Sequence, residues 1–166
     1  MSSVAGIYRK SGQVVSAGEM AGMMDALDHW KPDKREQIVE SNAGMGQLML
    51  FNTPESKFEK LPYRDSDSGL WINADARIDN RKELLDALDI ELRTNEPVTD
   101  SRLILEAYNR YGTRCTDHLV GAFAFAIFDP AKNHLFLARD HMGFRPLFYF
   151  MNNDLFLFAT EIKGIK

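Results

Sequence analysis

The 166-residue chain has one cysteine, Cys115, and none at its start, which runs Met1-Ser2-Ser3-Val4-Ala5-Gly6-Ile7. One thiol makes no intrachain disulfide, which excludes a disulfide-stapled scaffold and makes the cytoplasm the expected compartment. Cys115 follows Tyr111-Gly112-Thr113-Arg114 at the end of a helical pattern, where the negative end of the helix dipole disfavours thiolate. It reads as a bystander thiol, not a nucleophile. Histidine is also scarce: His29, His118, His134 and His141 are scattered, with no second ligand at a metal-binding spacing, so no metal site is expected. No apolar run approaches the roughly 18 residues of a membrane span, and no basic region with an apolar stretch opens the chain. Nor is there an excess of positive charge. The net charge of -4 is a poor match to nucleic acid or an anionic membrane.

What is present is ordinary for one globular domain, with 45% hydrophobic and 27% charged residues. Val4 to Tyr8 predicts a buried strand ended by the turn at Lys10-Ser11-Gly12-Gln13. Ser16 and Glu19 make a capping box for a helix whose apolar residues are Met20, Met23, Met24 and Leu27. Gln37 to Val39 and Met45 to Phe51 are weaker strands, and Asn52 to Ser68 is polar and turn-rich. Leu70-Trp71-Ile72 opens a strand toward Ile78, followed by a helix over Asn80 to Leu88 with Asp79 as its expected cap. Thr94 to Thr99 is a loop. Asp100 starts a second helix, with a stripe of Leu103, Ile104, Ala107, Tyr108 and Tyr111 and a stop at Gly112.

From Gly121 the period changes. Ala122–Phe128, His134–Ala138, Leu147–Met151 and Leu155–Ala159 are apolar strands, paired across hairpin turns at Asp129–Asn133 and Asn152–Asp154. Their side chains are apolar on nearly every residue, as expected for strands covered on both faces. Strands, helices and then antiparallel strands predict an α+β domain, with sheet packed on sheet and helices outside.

The C-terminal third carries more specific information. Gly121-Ala122-Phe123-Ala124-Phe125-Ala126 is followed by Ala138-Arg139-Asp140, by Gly143-Phe144-Arg145-Pro146-Leu147, and by Phe158-Ala159-Thr160-Glu161-Ile162-Lys163. This series resembles the class II glutamine amidotransferase domain of the asparagine synthetase B family, and weaker matches extend the resemblance over the whole chain. The resemblance implies the four-layer αββα sandwich of N-terminal nucleophile hydrolases. It also implies a mechanism in which the first residue's free α-amine, with a pKa of about 8, serves as base for its own side chain. Ammonia released from glutamine then passes to an ATP-using domain.

The family's catalytic positions are altered here. The nucleophilic cysteine falls on Ser2, whose hydroxyl is much harder to deprotonate, and a retained Met1 would acylate the amine that must act as base. The oxyanion asparagine falls on Asp75, and a carboxylate there cannot donate to a developing oxyanion. Ala76 and Arg77 stand where the family motif has glycine and glutamate. The arginine that grips the substrate carboxylate has no counterpart in Gly46-Gln47-Leu48-Met49-Leu50, which places Leu48 and Met49 in the vestigial substrate pocket. Asp100 matches the residue that binds the substrate's amino group, although it also suits a helix cap. Asn73, two residues before Asp75 on one strand face, is a conceivable substitute donor. Asp75 and Arg77 read as a structural ion pair filling the pocket, joined by Asp79 and Arg81, in preference to a new catalytic role.

Three losses at chemically distinct positions argue against glutamine hydrolysis, and Asp75-Ala76-Arg77-Ile78-Asp79-Asn80-Arg81 resembles the degenerate branch that holds β-lactam synthetase and lasso-peptide cyclases. That branch keeps the fold without a working glutaminase. The resemblance therefore implies a structural or docking domain for a synthetase domain of ATP-pyrophosphatase type, fused or associated on the C-terminal side. ATP and magnesium are expected in that domain, since no Ser-Gly-Gly-x-Asp-Ser loop occurs here, and no cofactor is expected in this one. The chain is accordingly expected to be an N-terminal piece. An active glutaminase supplying ammonia for asparagine synthesis, and a ligand-binding module with a cationic ligand facing Asp75 and Asp100, are the alternatives. Glutamine and a second copy in a homodimer are further candidate partners.

Overall fold

Strand periodicity organises the molecule into four layers. In the computed structural model, which describes residues 2–90 and 97–166, two antiparallel sheets pack face to face between helices. The first sheet has the order β2-β3-β1-β9-β8, formed by Lys34–Glu40, Ala43–Met49, Ser3–Arg9, Leu155–Ala159 and Phe148–Met151. The second has the order β4-β5-β6-β7, formed by Tyr63–Arg64, Trp71–Ile78, Gly121–Asp129 and His134–Arg139. Helix α1 (Ala17–Leu27) covers the first sheet; α2 (Arg81–Ala87) and α3 (Asp100–Tyr111) belong to the second. The domain is thus an α+β, four-layer αββα sandwich of the expected kind.

Each interface follows from which alternate residues are apolar. Ala5, Ile7, Leu48 and Ala159 point from the first sheet onto Met20, Met24 and Leu27 of α1. Ile72, Ala74, Ile78, Phe123, Phe125 and Ile127 point from the second sheet onto Leu103, Ile104 and Ala107 of α3. The other strand faces meet in the middle, where Val4, Met45 and Phe158 pack on Trp71, Ala126 and Phe128. The Trp71 and Phe128 rings meet edge to face, with centroids 5.4 Å apart. Fully burying one such side chain contributes about 1.5–3 kcal/mol before the cost of ordering the chain is subtracted.

The helix ends show where local signals hold. Ser16 and Glu19 form the reciprocal capping box at the start of α1. Gly112 ends α3 at φ 61°, a conformation that glycine adopts without a Cβ penalty. Two expected caps are corrected. Thr99 caps α3, accepting from the Arg102 N–H, and Asp100 is instead the first helical residue. Asp79 does not cap α2; its carboxylate is taken by Arg77, and Asn80 occupies the cap position. The expected irregular stretch at 52–68 holds a 3-10 turn, Glu55–Phe58, and the short β4. Of the loop expected at 94–99, residues 94–96 lie outside the described residues.

One expectation about the strands fails. β8 is a sheet edge with Phe148, Tyr149, Phe150 and Met151 all exposed, so its apolar sequence does not reflect cover on both faces.

The middle layer has little spare room at Gly6. A Cβ there would lie 2.2 Å from the Phe158 ring, and that ring is fully buried. Gly6→Ala is expected to lower stability by about 1–3 kcal/mol through overpacking. Urea unfolding monitored by circular dichroism checks this, and an unchanged midpoint would count against the tight packing.

Candidate functional site

The middle layer changes character along its length. On β3 the inward positions run Ala43, Met45, Gln47, Met49; on β5 they run Trp71, Asn73, Asp75. Period-two alternation therefore carries the sheet interface from an apolar end to a polar end within a few residues. At the transition the two sheets are clasped reciprocally. Asn73 Nδ2 donates to the Gly46 carbonyl at 2.8 Å, and Gln47 Nε2 donates to the Ala74 carbonyl at 3.0 Å. Asn73 is fully buried and does not line the cavity beyond the clasp, so it does not replace the missing oxyanion donor.

Beyond the clasp lies a cavity of about 190 Å³, which brings Ser2, Met49, Asp75, Ala76, Arg77 and Asp100 to one wall set. The sequence places all six there. Leu48 is the exception. Its side chain points to the opposite face of β3 and packs fully buried in the α1 layer, because neighbours on a strand face opposite ways.

Asp75 is the centre of the polar end, 6% exposed. Its Oδ1 accepts the Ser2 backbone N–H at 3.2 Å, and its Oδ2 lies 3.4 Å from Arg145 Nη1. Burial raises its pKa above the ordinary carboxylate value, opposed by the Arg145 charge and the Ser2 hydrogen bond. The pair expected between Asp75 and Arg77 does not form. Arg77 turns outward and holds Asp79 through Nε at 3.0 Å and Nη2 at 3.2 Å. Arg81 pairs with Asp100, not with Asp79, and also donates to the Val98 carbonyl. Ser2 Oγ accepts the Leu50 N–H at 3.1 Å, so the hydroxyl is pinned beside the cavity mouth. On its other side Ser2 borders a more open cleft of about 550 Å³ reaching Trp30 and Pro146.

Two contributors are not among the site residues read from the sequence. Arg145 arrives on the β7–β8 connection, whose turn is built on Asp140. The Asp140 carboxylate accepts backbone N–H groups from Phe123 at 3.2 Å, Phe144 at 2.9 Å and Arg145 at 3.0 Å. Burial alone would raise its pKa, yet those bonds together hold it below the ordinary range. Gly143 is required in this turn: its φ is 68°, and a Cβ would meet the Arg139 guanidinium at 2.0 Å. Glu59 is the second contributor. Its carboxylate accepts the Ser101 N–H at 3.0 Å and the Ser101 hydroxyl, fastening the 50–62 segment to the start of α3. Burial raises its pKa above the ordinary 4.5, and the nearby Asp100 charge adds to that. The motif reading foreshadowed Arg145 as part of the Gly-x-Arg-Pro turn; nothing local marked Glu59.

Among the described residues, other titratable groups offer no competing site. The Cys115 thiol is fully buried, and burial pushes its pKa up to about 11, so it carries no thiolate near neutrality. Among the described residues, no three His, Cys, Asp or Glu side chains are grouped as a metal site. No helix in the described residues is long and apolar enough to cross a membrane.

The raised pKa of Glu59 has a definite linkage sign. Its folded form binds the proton more tightly than the unfolded chain, so stability is lost as pH rises from about the ordinary 4.5 through the folded value. Glu59→Gln is expected to flatten that decline between pH 4.5 and neutrality while keeping an acceptor for the Ser101 N–H. Urea midpoints across this window check it; an unchanged slope would contradict the assignment.

Comparison with known proteins completes the site's context. The model of the glutamine amidotransferase domain family matches residues 1–166. The chain is 29% identical over 186 residues to a protein of Methanocaldococcus jannaschii provisionally named asparagine synthetase [glutamine-hydrolyzing] 2, covering 99% of this chain and 35% of that one. It is 28% identical over 146 residues to amidase chyE of Penicillium rubens, covering 88% of this chain and 22% of the amidase. It therefore spans about a third or less of these relatives. In fold it is similar to the glutamine phosphoribosylpyrophosphate amidotransferase of Bacillus subtilis, with a TM-score of 0.76 at 17% identity over 98% of this chain and 42% of that one. The layered sheets, the cavity beside Ser2 and the full-length match agree: the chain belongs to the glutamine amidotransferase domain family.

Proposed function

We propose that this domain keeps the amidotransferase fold without hydrolysing glutamine, and serves as a structural and docking domain for an ATP-dependent, amide-forming synthetase domain. The observation that carries the reading is the bond between the Ser2 nitrogen and Asp75. In an N-terminal nucleophile mechanism, the α-amine must be neutral to take the nucleophile's proton. A carboxylate 3.2 Å from that nitrogen favours the ammonium form once Met1 is removed, and so opposes the base. The same carboxylate occupies the oxyanion donor's position and repels the charge that develops in acyl transfer. The nearby carboxamide, Asn73, gives one N–H to Gly46, is fully buried and does not line the cavity. Met49 adds only apolar surface where a substrate carboxylate would need a cation.

These features act on three separate steps: base, oxyanion and substrate anchoring. Each typically contributes orders of magnitude in rate, so serine for cysteine is one deficit among several. The docking part of the proposal is supported by the uncovered apolar side chains of β8. An exposed apolar strand of this kind marks an interaction site. A synthetase partner, with its ATP and magnesium, would supply the amide-forming chemistry.

The expected outcome is that the chain, with its N-terminal residue established by mass spectrometry, releases no glutamate or ammonia from glutamine. Ser2→Cys is expected to remain inactive even after Met1 removal, because Asp75 and Met49 are unchanged. Turnover by the Met1-free chain, or full rescue by Ser2→Cys alone, would favour an active glutaminase and overturn the proposal.

A further inference from the structure

The free edge of β8 is defined by which of its backbone groups are unused. The Asn152 N–H donates to the Leu155 carbonyl at 3.0 Å, closing the β8–β9 hairpin. Met151 then lies opposite Phe156, Phe150 opposite Leu157 and Tyr149 opposite Phe158, and hydrogen-bonded pairs alternate along the ladder. Phe148 and Phe150 therefore spend their N–H and C=O groups on β9. Tyr149 and Met151 turn theirs outward, where no strand lies among the described residues.

Both faces of the strand are open as well. Phe148 and Phe150 stand on the α1 side with Ala159 and Leu157; Tyr149 and Met151 stand on the inner side with Phe158 and Phe156. All four are exposed, from 38% at Phe148 to 66% at Tyr149. A helix laid here would cover one face and leave the backbone groups unpaired. An extended strand that is apolar on both faces meets every demand.

β8 is itself such a strand. With two copies antiparallel about a two-fold axis at Phe150, Tyr149 of each lies opposite Met151 of the other. Every outward N–H and C=O of both strands is then paired. Phe150 meets its own counterpart on the α1 side, and Tyr149 meets the Met151 thioether on the inner side, both favourable cross-strand contacts. Charge favours a like copy. Any charge beside a two-fold axis meets itself, and like charges directly opposite are destabilising. No charged residue occurs from Pro146 to Asn153, in a chain where 27% of residues are charged. The flanking charges are engaged within the chain, Arg145 by Asp75 and Asp154 by Arg9 and the Ser11 N–H.

We infer that β8 pairs antiparallel with β8 of a second copy, joining the five-stranded sheets of two chains into one continuous sheet. The inference is independent of whether glutamine is hydrolysed. It shares its edge with the proposed synthetase docking, so the two partners exclude each other, and pairing is the state of the domain without a synthetase. A contact built on so short a strand lies below the roughly 1,200 Å² of stable interfaces, so the dimer is weak, with a Kd of about 10 μM to 1 mM.

The test follows the 166-residue chain by analytical ultracentrifugation from micromolar to millimolar concentration, with backbone amide exchange read by NMR at both ends of the series. A reversible monomer–dimer equilibrium is expected. Where about nine-tenths of the chain is paired, the Tyr149 and Met151 amides are expected to exchange about tenfold more slowly, while those of Phe148 and Phe150, already bonded to β9, change little. Phe150→Lys sets two ammonium groups at the axis and is expected to weaken the dimer about tenfold or more. Val120→Lys, the same charge at an exposed residue outside the edge, is expected to leave it intact, and urea midpoints check that both variants fold. A monomer at every concentration, oligomers beyond the dimer, unchanged exchange at Tyr149 and Met151, or equal effects of the two lysines would overturn the inference. So would a synthetase domain that binds β8 of a chain otherwise monomeric throughout, which would assign the edge to that partner alone.

Discussion

The double clasp between Gln47 and Asn73 sets the terms for everything at the polar end of this domain. Two carboxamides, each nearly or fully buried, reach across the sheet interface and give their N–H groups to backbone carbonyls of the facing sheet. This ties the sheets together where the apolar core of Trp71, Phe128 and Phe158 gives way to charge. One N–H of each carboxamide goes to backbone, and the two side-chain oxygens, Gln47 Oε1 and Asn73 Oδ1, have no donor among the described residues.

Asp75 then makes sense as part of a neutralised cluster. A buried carboxylate needs partners or it protonates. Here the partners are Arg145 and the Ser2 nitrogen, brought from the β7–β8 loop and from the chain's start. Truncating either partner of such a pair leaves the other buried and unpaired, which makes the pair hard to lose piecemeal. The loop that delivers Arg145 is itself held by Asp140, so a turn far from Ser2 in sequence governs the chemistry around it.

How much of this was legible beforehand depends on the range of the interaction responsible. The capping box at Ser16, the stop at Gly112 and the paired C-terminal strands depend on residues a few positions apart, and they stand as expected. Family position located Ser2, Met49, Asp75 and Asp100 around one cavity. What escaped was parity and partnership. Leu48 and Met49 differ by one residue and face opposite layers. Arg77 was matched with Asp75 from proximity along β5, while the structure supplies Arg145, from a loop two strands further along the chain. Glu59 sits in a polar stretch with no period, so its hold on Ser101 has no local signature.

The first sheet ends in two unlike edges. β2 carries Lys34, Arg35, Glu36 and Glu40, charges of the kind that discourage a foreign strand from pairing there. β8 has no charged residue, and its outer backbone groups face no strand among the described residues. A preparation of these 166 residues by themselves therefore presents a short, aromatic template for strand addition. At high concentration that edge favours association of one copy with another, and a single lysine on the strand is the natural remedy.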